Sequence, residues 1–295
     1  MIQQTGPAAP APARRRALWR RSRATLPGGE HVAVFEAGQT SADATQLLLV
    51  HGMGHWTQAA WDFVAAELEA THRIVAFDLP GFGESAKPDI AYALPYFTAA
   101  VRAVAVAAGL RCFTLVGHSL GGMIAANYAA AYPQEIRLLA LLDPAGFLRT
   151  PKFVLRIAAS GPLTWLLRRM RPSQKFVRRT FEQAVFDKTT IPEDYHARAF
   201  ALSRDATLTR AFVGVYAHAL QELLHIGDLH RRFARYTGPA LIVWGARDRF
   251  VPIRALPAAR RVYPRADVLE LANCGHCPNL EFPERVVERL LANGA

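Results

Sequence analysis

The strand-like run FTLV, residues 113–116, passes directly into Gly117-His118-Ser119-Leu120-Gly121 and from there into the small-residue pattern MIAANYAAAYP. Few folds accept that succession. A continuous apolar run suits a strand covered on both faces, and two glycines flanking a serine suit a tight strand-to-helix turn. A side chain two positions from the serine would collide with the adjacent backbone of such a turn. The helix that follows then aims its N-terminal amides at the serine, where they would stabilise negative charge. Ser119 is therefore a candidate nucleophile on a strained elbow, and the chain is expected to carry a parallel sheet.

The rest of the chain repeats the alternation. HVAVFEAG, TQLLLVHG, HRIVAFDLPG and IRLLALLDPAG read as further strands, with WTQAAWDFVAAELEA and YFTAAVRAVAVAAG as helices between them. Strands alternating with helices predict an α/β fold, a mostly parallel doubly wound sheet. After Asp143 the alternation stops, and it resumes at Thr237 with GPALIVWGARD, ADVLELANCGH and PERVVERLLAN. Between them KFVLRIAA, LTWLLRRM and RAFVGVYAHALQELL have helical spacing and no good strand. The expected organisation is a basic, flexible N-terminal arm over 1–28, a core over 29–143 and 237–295, and a helical insertion over 144–236.

Charge is uneven. The net charge is +11, and residues 1–23 contribute six arginines without an acid. Residues 144–236 hold sixteen Lys and Arg against seven Asp and Glu. Positive charge in a tail and one internal segment suggests attraction to an anionic surface or substrate. Trp19 in the arm is then a candidate interfacial residue. Nucleic acid is not expected, because no binding motif accompanies the charge. The arm lacks the apolar stretch of a secretory signal, and no run of eighteen apolar residues occurs. Three cysteines are too few for a disulfide framework and fit a reducing compartment. The expected location is cytoplasmic, with peripheral membrane contact through the arm and the insertion.

Five stretches together, LLLVHGMGHW, DLPGFGES, GHSLGG, WGARDRFVP and GHCPNLEFPE, resemble the α/β-hydrolase family in order and spacing. The likeness runs from Glu30 to the end apart from the insertion. It implies a serine hydrolase with a helical cap over the pocket and catalytic residues in the order Ser, Asp, His. It also places aspartate, not serine, at the elbow of haloalkane dehalogenase and epoxide hydrolase relatives, which argues against those activities.

NCGHCPNLEFPE contains both a CGHC dithiol pattern and a single histidine. Redox dithiols open a thioredoxin-like domain, and only one short helix remains downstream here. The resemblance puts the catalytic histidine at His276, which leaves Cys274 and Cys277 as loop-packing residues. The acid is expected at Asp248, on the loop after the buried strand GPALIVWG, where function gathers in open α/β sheets. Asp143, at the end of the strand after the nucleophile helix, is its competitor. Leu120 follows the nucleophile and should give one oxyanion amide. By resemblance Met53 gives the other, with Gly52 allowing close approach. Gly52 and His118 are the candidate substrate-binding residues. His51 is expected to brace its loop, and Asp78, Gly81 and Gly83 to shape theirs.

The expectation is hydrolysis of carboxylic esters of hydrophobic acyl groups, without metal or organic cofactor. Meta-cleavage product hydrolases, which break a carbon–carbon bond with the same triad, are the alternative. They usually carry Asn before the serine, where this chain has His118. A non-catalytic lipid-binding homologue is the reading outside enzymes.

Overall fold

The apolar runs become one eight-stranded sheet in the computed structural model, which describes residues 14–41 and 44–295. In chain order the strands are β1 (Arg20–Thr25), β2 (His31–Gly38), β3 (Thr45–Val50), β4 (His72–Phe77), β5 (Phe113–His118), β6 (Ile136–Leu142), β7 (Ala240–Gly245) and β8 (Asp267–Leu271). They lie in the order β1-β2-β4-β3-β5-β6-β7-β8. The β1–β2 and β2–β4 pairs are antiparallel and all others parallel. Every residue of β5 and β7 is buried, which is why their sequences run apolar without alternation.

Helices cover both faces. They are α1 (Thr57–Leu68), α2 (Leu94–Ala107) and α3 (Leu120–Ala131) in the first half, and α10 (Leu256–Val262), α11 (Pro278–Glu281) and α12 (Pro283–Ala292) in the second. Leu48, Val50, Leu115 and Leu141 join one core layer with α2 and α3, while Leu47, Leu49, Val116 and Leu142 join the other with α1 and α12. Between β6 and β7 stand α4 (Lys152–Ala158), α5 (Gly161–Leu167), α6 (Gln174–Ala184), α7 (Glu193–Ser203), α8 (Ala206–Leu224) and α9 (Ile226–Phe233). A third cluster, including Trp56, Phe63, Val177, Tyr195 and Leu280, ties this insertion to the core. No helix among the described residues is long and apolar enough to cross a membrane.

The described part of the expected N-terminal arm, residues 14–28, is not free. β1 pairs with β2 from Arg20↔Glu36 to Thr25↔His31. Ahead of it, Arg14 donates to the carbonyl of Leu280 at 2.6 Å, Arg15 pairs with Glu69, and both terminal nitrogens of Arg16 reach Asp194 of α7 at 2.7 Å. Trp19, a candidate membrane residue, donates its indole N–H to Asp62 at 2.7 Å. The cations face water on an edge strand, where charge deters pairing with other chains. Residues 1–13 lie outside the described residues.

Parallel register puts the strand ends on one rim. His118 stands opposite Leu142, Leu142 opposite Val243, and Gly245 opposite Leu271. The residues that follow, Ser119, Asp143, the 246–250 loop and the 272–277 loop, therefore leave the sheet at neighbouring points.

Candidate active site

Ser119 occupies the left-handed region, with φ 54° and ψ −117°. A β-carbon makes that conformation costly, so the surroundings must hold it. Its amide donates to Leu142 O at 2.9 Å, and its carbonyl accepts from Ala145 N at 2.9 Å. Both flanking glycines are sterically required. A β-carbon on Gly117 would strike the carbonyl of Gly121, and one on Gly121 would strike that of Val50.

His276 lies against this turn. In the tautomer that satisfies both neighbours, Ser119 Oγ donates to Nε2 at 2.8 Å and Nδ1 donates to Asp248 Oδ2 at 2.7 Å. The other oxygen of Asp248 accepts from the amides of Phe250 at 2.7 Å and Val251 at 3.0 Å. The Asp248 side chain has no solvent exposure, so its charge acts on the imidazole with little screening. Ser119, His276 and Asp248, picked out separately in the sequence, thus form one hydrogen-bonded relay.

Asp143 approaches the relay without joining it. Its Oδ1 accepts from Gly245 N at 2.9 Å, and its Oδ2 is buried without a hydrogen-bond partner. Burial first, and the neighbouring Asp248 charge second, hold this carboxyl well above the usual carboxylate range. One potential ligand atom from each of Asp143, Asp248 and His276 lies within 4.8 Å of the others. The His276 and Asp248 atoms are already engaged with each other, Ser119 and backbone amides.

The histidine loop is fastened to the insertion. His276 N donates to Ala184 O at 2.6 Å. Glu281 accepts from Gly275 N at 2.7 Å with one oxygen and from Phe186 N at 2.7 Å with the other. Burial pushes Glu281 up, against the pull of these amides. Sequence reasoning missed this residue. Its only signal is an acid embedded in the apolar run NLEFP.

His118, expected to touch substrate, does something else. It is fully buried, donates from Nε2 to the carbonyl of His276 at 2.6 Å, and stacks on His55 at 5.4 Å. It positions the loop that carries the imidazole. Gly52 is likewise a packing contact, since a β-carbon there would come within 3.1 Å of Ser119 Cβ. Met53 follows it, half-buried against the core, and Leu120 opens α3, whose first-turn amides have no partner within the helix. His51 braces the loop by accepting from Leu79 N at 2.9 Å and donating to Gly52 O at 2.8 Å. Asp78 accepts from Thr57 N and Glu84 N, both at 2.7 Å, and so shapes its loop. Cys274 and Cys277 are free, buried thiols that burial pushes up, the reverse of what a redox thiolate needs.

A narrow cavity adjoins the elbow, with about 10 Å³ free, lined by Tyr92, Leu94, Phe97, Leu120, Met123 and Val215 together with His218, Ala219 and Glu222. That volume holds about one water.

His55 gives the site a pH dependence. Its Nδ1 is buried without a partner, and burial, with His51 and His276 nearby, pushes the ring down to about 3 from an ordinary 6.5. The unfolded chain takes up a proton below about pH 6.5 while the folded protein does not. Stability is therefore undiminished above that value and falls as pH drops towards the folded value. Between about pH 6.5 and 5, the stability of the parent relative to His55→Phe should decline by about 1.6 kcal/mol in urea unfolding. A difference that ignores pH would mean the ring is protonated in the fold.

Strand order and elbow together put the molecule in the α/β-hydrolase class, where the residue on that turn is the one presented to substrate. The chain belongs to the α/β hydrolase family itself, whose model matches residues 47–289. It is 28% identical over 275 residues to Lipase 1 of Psychrobacter immobilis, covering 91% of this chain and 82% of that one. It is 28% identical over 279 residues to a 2-hydroxy-6-oxononadienedioate/2-hydroxy-6-oxononatrienedioate hydrolase of Paraburkholderia phymatum, covering 90% and 92%. Among solved structures, a membrane phospholipase A described as a bacterial virulence factor superposes with a TM-score of 0.69 at 27% identity, covering 93% of this chain and 85% of that one.

Proposed function

We propose that the protein hydrolyses carboxylic esters of hydrophobic acyl groups through a covalent acyl-enzyme. The observation that carries this is the Ser119–His276–Asp248 relay on the elbow. His276 takes the Ser119 proton as Oγ attacks the ester carbonyl, and Asp248 holds the ring and stabilises the imidazolium. The oxyanion rests on the amides of Met53 and Leu120, each worth about 2.7–4 kcal/mol in the transition state. The imidazolium protonates the departing alcohol, and His276 then activates water to release the acid.

Cleavage of a carbon–carbon bond beside a ketone is the second reading, favoured by the similarity to the Paraburkholderia hydrolase. Its named substrate is a dioate, which needs cations near its carboxylates. The cavity beside Leu120 is lined mostly by apolar and aromatic groups, with His218 and Glu222 as its polar members and no Lys or Arg. That chemistry supports an uncharged acyl group, and the lipase and phospholipase relatives point the same way. A p-nitrophenyl ester series of increasing chain length, run beside a dienone diacid, tests the choice. Turnover of medium or long esters with an inert dienone is expected. Preference for the dienone would overturn the ester reading.

A further inference from the structure

From Pro144 to Phe181 the chain carries nine Lys and Arg and no Asp or Glu. Among the described residues only one of the nine, Arg178, pairs with a carboxylate, reaching Glu182 at 2.9 Å and Glu193 at 2.8 Å. The N-terminal arginines differ. Arg14, Arg15, Arg16 and Arg21 each have an acidic partner. On β1 only Arg20 and Arg23 lack a carboxylate partner among the described residues, against eight of the nine cations on this stretch of the insertion.

The same stretch exposes large apolar side chains. Phe153 is 66% exposed, Ile157 63%, Trp165 57% and Leu166 53%. On α4 only Leu155 is buried, and on α5 nothing is. The Arg169 guanidinium lies over the Trp165 ring at 3.8 Å, which keeps cation and indole on one surface. Both helices pack on α8, whose Val215 and Ala219 line the cavity beside Leu120. The exposed face thus belongs to helices that rest on a wall of that cavity.

We propose that the outer face of α4 and α5, with Phe153, Ile157, Trp165 and Leu166 among unpaired cations, docks on an anionic lipid bilayer. Apolar side chains enter the acyl boundary, the indole sits at headgroup depth, and the guanidinium groups meet lipid phosphates. A second copy of the chain is a poor occupant, because a two-fold contact would set these acid-free faces against each other. The inference goes beyond the proposed reaction and holds for either bond type.

The test uses the full chain with phosphatidylcholine vesicles prepared with and without phosphatidylglycerol. Cosedimentation with the anionic vesicles alone, lost at high salt, is expected. Trp56, Trp61 and Trp244 are fully buried, and Trp19 is half-buried and hydrogen-bonded, so a blue shift on binding reports Trp165. Trp165→Phe should abolish the shift while leaving melting temperature unchanged. Replacing Arg168, Arg169 and Arg171 together by Gln should weaken binding about a hundredfold, at roughly fivefold per charge. Replacing Phe153 and Ile157 by Ser should weaken it as well. Equal binding to neutral vesicles, binding without a Trp165 signal, or an undiminished triple variant would overturn the proposal. So would a dimer in lipid-free buffer that the same substitutions dissolve.

Discussion

Ser119→Ala should reduce kcat on the best substrate by roughly a million-fold and abolish labelling by a fluorophosphonate probe. The elbow itself should survive. The loss removes one oxygen and its 2.8 Å bond to His276, while the turn is held by backbone bonds to Leu142 and Ala145. Circular dichroism and melting temperature close to the parent's would separate lost chemistry from lost structure. Substantial turnover by a folded Ser119→Ala protein would remove the covalent mechanism, and labelling of that protein would place the nucleophile elsewhere.

The second large effect distinguishes two buried aspartates that sequence alone leaves in competition. Asp248→Asn should lower kcat about ten-thousandfold, because an amide cannot favour the required tautomer or stabilise the imidazolium. Asp143→Asn should stay within about tenfold of the parent. Burial and the neighbouring Asp248 already disfavour the charged form of Asp143, and an amide is nearly isosteric and keeps an oxygen for Gly245 N. Steady-state kinetics on both variants decides the matter. A reversed ranking would move the acid to the end of β6.

How much was legible follows from what each residue's role depends on. Strands β3 to β7 could be read because burial on both faces leaves apolar runs, while β2 and β8 show a mixed polar and apolar pattern between turn residues. β1 could not. RRSRAT buries one residue of six, so an edge strand reads as a charged tail. The relay was readable because each member sits in a local pattern with its own turn chemistry. Glu281 and His118 were not, because their roles exist only through partners far along the chain: Phe186 is 95 residues from Glu281, and His276 is 158 from His118. The narrowness of the cavity was equally hidden, since its walls come from α2, α3 and α8, which are far apart along the chain.

The bond from His276 N to Ala184 O and the grip of Glu281 on Phe186 tie the α6 end of the insertion to the histidine loop. If the α6 end lifts, it drags the proton acceptor out of line with the serine. The insertion thus takes part in placing the imidazole.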